Sequence, residues 1–373
     1  MRKLLFVVTE DWYFCSHRLE LAKAAIDAGF HVAVATRVQK HGSLIQEAGI
    51  ELIPLQKMNR SGTRLWGELR SILELIEVYK NYCPDIVHHV AMKPMLYGSI
   101  AAYFSRVKHK VQAISGFGFV FLSSSLKARL LRLPVRWMLR LALVGKHTSV
   151  IVQNPDDVEM ASKLGVSLEN IHLVAGSGIN IETFPFSEEP CEQVVIITLV
   201  ARMLWDKGVG EFVEAVRLLK NEGVELRAVL VGEPDDSNPA SIPVAQLKAW
   251  HKEGVIEWQG RREDIVNVWR ASHIAALPSY REGLPKSLLE AASCGRAMVA
   301  TDVPGCRSVV RHRQTGLLVK AKDSTALAAA IKVLIKDKNM RQKMGRAARQ
   351  MVEQEYAEDI VNSQIVAMYQ QTL

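Results

Sequence analysis

The sequence predicts an α/β chain built as two doubly wound, Rossmann-like halves, each a parallel sheet with helices on both faces. Three observations carry this expectation. Short apolar runs alternate with helical patterns from end to end, and strands buried on both faces read as continuous apolar runs. The alternation restarts near the middle of the chain, after a polar, proline-bearing stretch. At 373 residues the chain also exceeds one comfortable core, since single cores stop growing near ~250–300 residues.

In order, "KLLFVV" is followed by a helix near His17–Ala28, then "HVAVAT" and a helix near Arg64–Tyr82. Next come "DIVHHV", a helix near Met95–Ser105, "KVQAIS", a basic helical stretch from Leu126, and "TSVIVQ". The second half opens on "VVIITLVAR", a helix near Gly208–Glu222, "ELRAVLVG" and "VIEW". It continues through a helix near Asp264–Ala271, "HIAALP", a helix near Pro285–Cys294 and "AMVATD", with a long amphipathic tail from Ser324. The boundary is expected in "NIETFPFSEEPCEQ", dividing the chain into residues 1–185 and 186–354, with 355–373 as a closing helix. Ligands bind beyond the carboxyl ends of such strands, so two facing halves predict a shared cleft.

Composition excludes several classes. The five cysteines are scattered, without a CxxC or metal-ligand spacing, which fits a reduced, cytoplasmic setting. The opening apolar run is short and meets Glu10 and Asp11, so it reads as a strand and not a signal peptide. No stretch of eighteen apolar residues occurs, so no membrane span is expected. Of the net charge of +8, +7 falls in residues 1–185. From Ile86 to Pro155 there are ten basic residues, Lys93 among them, and no acidic one. The first half is therefore expected to face something anionic. Nucleic acid is not expected, because no recognised binding module or stacking array accompanies the charge.

Candidate chemistry concentrates at strand ends. "VARMLWDKG" puts Arg202 just after a strand, with Lys207 and Gly208 opening the next helix. Two cations beside a helix N-terminus suit a diphosphate, although each alone also fits a solvated turn. "REGLPKSLLEA" sets Glu282 in a loop and Glu290 within a helix, with Gly283 and Leu284 between. Amides after Glu282 would point at phosphate, and Glu290 would accept paired hydrogen bonds from vicinal hydroxyls. Taken singly, Glu290 also fits a solvent-facing helix and Glu282 a dipole partner. Gly116 and Gly118, in "ISGFGFVF", and Gly178, in "AGSGIN", allow close backbone approach or simply a tight turn. Ser16, His17 and Arg18 follow the first strand, where Arg18 would hold an acceptor phosphate unless the segment is an ordinary helix start. His88 and His89 point to opposite faces of one strand, so they cannot serve one site. Arg129, Arg132, Arg136 and Arg140 are spaced by three or four residues and share one helical face, with Leu and Trp137 on the other. Such a stretch lies on anionic lipid or forms a core helix with a basic edge, and Pro134 predicts a break or kink.

Together, "ARMLWDKG" and "EGLPKSLLEA" resemble the retaining, nucleotide-sugar-dependent glycosyltransferases of family 4, which have the GT-B fold. "VVRHRQTGLLV", "HHVAMKPMLYGSIAA" and the helical tail fit as well, and the likeness covers essentially the whole chain. It is strongest to bacterial enzymes that extend polyprenyl-diphosphate-linked oligosaccharides for surface polysaccharide or protein glycosylation. The resemblance implies two facing domains, a central cleft and a C-terminal helix returning to the first domain. It implies that Arg202 and Lys207 hold the donor diphosphate, Glu290 the ribose, and Glu282 the sugar. Gly283 and Leu284 would cradle sugar and phosphate, Gly178 would line the donor site, and Arg261 would lie against the base. Ser16, His17, Arg18, Lys93, Gly116 and Gly118 become acceptor-side candidates. The expected donor is a UDP-sugar used as substrate, without a cofactor or essential metal. The expected acceptor is a polyprenyl-diphosphate-linked saccharide, met at the inner face of the plasma membrane by a peripheral protein. Alternatives are a transferase of lipopolysaccharide core or glycolipid, and a non-catalytic nucleotide-sugar-binding or membrane scaffold. The chain departs from the family pattern in lacking a Gly-Gly pair after the first strand and a histidine after the fifth.

Overall fold

The computed structural model describes residues 2–58, 65–114, 126–236 and 238–372. The chain forms two compact units, Met1–Gly178 with Glu358–Leu373, and Ile179–Ala357.

The first unit holds a seven-stranded parallel sheet. Its strands are β1 (Arg2–Glu10), β2 (Phe30–Arg37), β3 (Glu51–Pro54), β4 (Ile86–Val90), β5 (His109–Ala113), β6 (Thr148–Val152) and β7 (Ile171–Leu173), in the order β3-β2-β1-β4-β5-β6-β7. Strand alternation sends Leu4, Phe6 and Val8 to one face and Leu5 and Val7 to the other. Both faces are covered, which is why β1 reads as an unbroken apolar run. Val361, Ile365 and Tyr369 of the helix Glu358–Gln371, spaced by four, join the Phe6 face.

Three expectations change here. The helix near His17–Ala28 is two helices, Asp11–His17 and Leu19–Asp27, which meet at Arg18 with φ −135° and ψ −8°. The helix Leu126–Leu143 is not broken at residue 134, and Leu139, Ala142 and Leu143 bury against Met95 and Val150 and hold its later turns. Trp137 does not lie opposite the arginines. It is 64% exposed and Leu141 74%, because the core against this helix is reached from positions 139, 142 and 143 instead.

The second unit holds β8 (Val195–Val200), β9 (Leu226–Val231), β10 (Glu257–Trp258), β11 (Ile274–Leu277), β12 (Ala297–Thr301) and β13 (Gly316–Val319), all parallel, in the order β10-β9-β8-β11-β12-β13. Its division from the first unit falls at Gly178, upstream of the expected 185/186 boundary. Arginines from the second unit pin the intervening segment. Arg341 makes a two-pronged pair with Glu189 at 2.9 and 3.0 Å, both side chains almost fully buried. Arg296, fully buried, donates to the Ser187 carbonyl and, at 3.1 Å, to that of Glu188. Arg349 donates to the Phe184 carbonyl at 2.9 Å. The two ends of the unit also meet, since the Ile179 amide donates to the Tyr356 carbonyl at 2.8 Å.

Candidate functional site

In the second sheet β8 lies between β9 and β11, so the winding reverses between β8 and β11. Open α/β sheets bind ligands at such a reversal, beyond the strand ends. The loop after β8 carries Arg202, Lys207 and Gly208, and the loop after β11 carries Ser279, Glu282 and Gly283. The sequence-predicted cations and loop glutamate therefore emerge from adjacent strands.

These loops touch. Lys207 Nζ lies 2.5 Å from Glu282 Oε1, with the two side chains only 22% and 10% exposed. Ser279 Oγ donates to the same carboxylate oxygen at 2.6 Å. Gly208 has φ +71°, and a Cβ there would come within 2.0 Å of the Pro278 carbonyl oxygen. Only glycine permits both the backbone conformation and the approach. Opposite, a Cβ on Gly305 would come within 2.4 Å of the Gly283 carbonyl, so the helix Pro304–Val309 backs the Glu282–Gly283 peptide closely. Arg202, half-exposed, places Nη1 2.6 Å from Asp235 Oδ2. Both proposed diphosphate cations thus have carboxylate neighbours.

Glu290 sits in the helix Lys286–Ser293, which begins directly after Pro285. Burial pushes its carboxyl up to about 7, and Lys286 pulls it back only in part. The Trp269 Nε1 is itself buried without a hydrogen-bond partner among the described residues. Arg261 is exposed beyond the edge strand β10. Asp235, Ser279 and Gly305 had no signal in the sequence, because each acts on the site through contacts that only the folded chain creates.

In the first unit Ser16 Oγ is 2.6 Å from His17 Nδ1, and the His17 ring stacks on Tyr13 at 4.3 Å. Arg18 is buried and donates from Nη1 to the Gly176 carbonyl at 3.0 Å. Gly178, expected at the donor site, is the last residue of this unit before the crossing. Lys93 Nζ pairs with Glu68 at 2.8 Å. Gly116 and Gly118 lie outside the described residues. His88 and His89 are both fully buried. His88 Nδ1 bonds the Tyr369 hydroxyl, and His89 Nε2 lies 2.7 Å from the Tyr79 hydroxyl. Burial holds the first well below the usual imidazole range and the second at about 3, so both are neutral packing groups.

After β1, in place of a glycine pair, the Asp11 carboxylate accepts the amides of Gln39 at 2.7 Å, Lys40 at 3.0 Å and His41 at 2.9 Å. Burial pushes this carboxyl up, but the backbone amides outweigh it and hold it below the usual range. Asp11 is thus the structural clamp of the loop after β2.

On the outer helix Leu126–Leu143, Arg136 and Arg140 reach the carbonyls of Lys163 and Leu164, each at 3.4 Å. They lie at the C-terminus of the helix Pro155–Lys163, where cations are favoured. The side chains of Arg129 and Arg132 lie outside the described residues. The neighbouring helix Met92–Ser105 exposes Tyr103 at 81% and Phe104 at 62%. Among the described residues no helix is long and apolar enough to cross a membrane. Nor does any group of three or more His, Cys, Asp or Glu among them stand ready to hold a metal.

Two doubly wound units of this kind are the parts of a GT-B fold. The family model described as Glycosyl transferases group 1 matches residues 180–351, and that described as Glycosyl transferase 4-like matches residues 3–154. The chain belongs to this group 1, family 4-like glycosyltransferase family. It is 28% identical, over 95% of each chain, to the N,N'-diacetylbacillosaminyl-diphospho-undecaprenol alpha-1,3-N-acetylgalactosaminyltransferase of Campylobacter jejuni. It is 25% identical, over 73% of its own length and 71% of the relative's, to the UDP-Gal:alpha-D-GlcNAc-diphosphoundecaprenol alpha-1,3-galactosyltransferase of Escherichia coli. Among solved structures, Anabaena HepE in complex with UDP-glucose superposes with a TM-score of 0.77 at 19% identity, covering all of both chains.

Proposed function

We propose that this glycosyltransferase moves a hexose or N-acetylhexosamine from a UDP-sugar to a polyprenyl-diphosphate-linked glycan, with retention at the anomeric carbon. The pathway proposed is surface-polysaccharide or glycoprotein biosynthesis, and the place is the inner face of the plasma membrane. The observation that carries this reading is the Lys207–Glu282 contact across the sheet's reversal point, with Arg202 on the same loop as Lys207. The acceptor class rests on the relatives named above and on the acid-free basic stretch Ile86–Pro155.

Breaking a glycosyl–diphosphate bond builds positive charge on the anomeric carbon and negative charge on the departing phosphate. Lys207 and Arg202 are positioned to meet the phosphate charge. Glu282, already bonded by Lys207 and Ser279, is placed as an oriented acceptor for sugar hydroxyls and not as a free nucleophile. That favours front-face attack, in which the departing diphosphate takes the acceptor proton as the new bond forms. Glu290 binds the ribose hydroxyls, and no metal is required because the side-chain cations supply the countercharge. Trp137, Leu141, Tyr103 and Phe104 seat the first unit in the headgroup region, with the basic stretch attracting anionic lipid.

The test is a donor screen on the purified protein with a short prenyl-diphosphate-linked N-acetylhexosamine. One UDP-sugar should add one sugar to the acceptor mass, and NMR should show the donor's anomeric configuration preserved. Absence of both transfer and UDP release with every UDP-sugar would reject the reading.

A further inference from the structure

The first unit contains a cation that the described side chains leave uncompensated. Arg18 is 4% exposed. Its one hydrogen bond among the described residues goes from Nη1 to the Gly176 carbonyl at 3.0 Å, while Nε is buried without a partner. No carboxylate among the described residues pairs with it. Its positive charge is felt by two other buried polar groups, His88 and Tyr369, and His88 Nε2 is likewise buried without a partner among the described residues. An ionised guanidinium is costly to bury unless a countercharge accompanies it. Water would satisfy Nε but not the charge.

The position is informative. Arg18 breaks two helices at the carboxyl side of β1, and β1 stands between β2 and β4 at this sheet's own reversal point. Facing it is a turn in which Gly176 and Gly178 have φ +64° and +67°, which brings backbone rather than side chain toward the guanidinium.

We propose that Arg18, held in place by the Gly176 carbonyl, supplies a phosphate-oxygen subsite in the first unit, and that its ligand is the diphosphate of the lipid-linked acceptor. The identity of that ligand rests on the function proposed above; the anion site itself does not. Arg18 is the fixed counterion, and the acid-free stretch Ile86–Pro155 biases the same unit toward anions.

The test uses the full-length protein with UDP at saturation, so that the donor site is occupied before inorganic pyrophosphate is added. Pyrophosphate should then raise the wild-type Tm by a few degrees, less in Arg18→Lys, and not at all in Arg18→Gln. The UDP-induced shift should be the same in all three proteins; its absence from all three indicts the transferase reading, not the subsite. In turnover, Arg18→Lys should raise the acceptor KM about tenfold or more and leave the donor KM unchanged. An equal pyrophosphate response in Arg18→Gln, or none in the wild type, overturns the subsite, and the wild-type and Arg18→Lys measurements suffice if Arg18→Gln does not fold. An inorganic phosphate response matching that of pyrophosphate, with the acceptor KM unmoved, makes it a free-anion site and overturns the acceptor assignment. A lowered Tm with the pyrophosphate response and acceptor KM both unchanged leaves a structural arginine only, and also overturns it.

Discussion

Lys207 and Glu282 lie 75 positions apart in sequence and 2.5 Å apart in the fold, joining the loops that follow two neighbouring strands. The contact orders both partners before any ligand arrives, the condition under which charged groups stabilise a transition state most effectively. Lys207→Ala should reduce kcat/KM by about 10²–10³-fold with a cooperative melt retained. Glu282→Gln, which keeps the size of the side chain, should reduce kcat more than it raises the donor KM. Single-turnover kinetics on both variants reads the split, and turnover unchanged in Lys207→Ala would remove the phosphate role.

Arg202 is held by Asp235 at 2.6 Å, so the diphosphate proposed to bind it would have to share or displace a carboxylate. Asp235→Asn should tighten UDP binding a few-fold, and Arg202→Ala should weaken it by about tenfold or more. Calorimetric titration with UDP measures both. Weaker UDP binding in Asp235→Asn would show that the aspartate orients Arg202 instead of competing for it.

Glu290 titrates at about 7 because burial disfavours its charge. The ionised form accepts ribose hydroxyls best, so donor affinity should rise as pH increases through about 7. Stability runs the other way. The unfolded carboxyl ionises near ~4.3, so between roughly pH 4.5 and 7 the folded state binds the proton more tightly and loses stability as pH rises, by up to about 4 kcal/mol. Glu290→Gln should therefore be at least as stable as wild type at pH 8 while binding UDP poorly, with a pH-independent residual affinity. A donor-affinity profile that is flat in the wild type contradicts this assignment.

Trp137 and Leu141 stand out from the same helix as Arg136 and Arg140, whose guanidinium groups lie near protein carbonyls. Apolar insertion should therefore matter more than those two charges. Trp137→Glu with Leu141→Glu should cut co-sedimentation with anionic vesicles by about tenfold or more, whereas Arg136→Ala with Arg140→Ala should have a smaller effect. Wild-type binding should weaken with salt. Undiminished binding of the double glutamate variant would place the membrane contact elsewhere.

Arg341 and Glu189 form an almost fully buried pair, and removing one partner strands the other charge. Arg341→Ala should destabilise the second unit by about 3–5 kcal/mol, visible as an early transition in thermal unfolding. A shift no larger than that of an exposed pair such as Arg346 with Glu188 would mean the site is open to water.

Much of this architecture is legible from residue order. Central strands buried on two faces leave apolar runs that few other elements produce, and Arg202, Lys207 and Glu282 stand out because they follow such runs directly. The edge strands β3, β7 and β13 are too short and too partly buried to leave a pattern. The inward turn of Arg18 is invisible because a break between two helices leaves both periodicities intact. Which side of Leu126–Leu143 faces the core depends on Met95 and Val150, not on the spacing of its arginines. The segment Ile179–Glu189 looks like a linker because its anchors, Arg296, Arg341 and Arg349, arrive from more than a hundred residues away.

The meeting of Ile179 with Tyr356 has an evolutionary consequence. A unit that begins and ends at one point can be inserted into a host chain, or removed from it, without stretching either. Gene recombination at these two positions would exchange the whole Ile179–Ala357 cassette in a single event, while the host keeps its closing helix Glu358–Gln371. Under the function proposed above, donor preference and acceptor preference would then diversify as separate inherited modules.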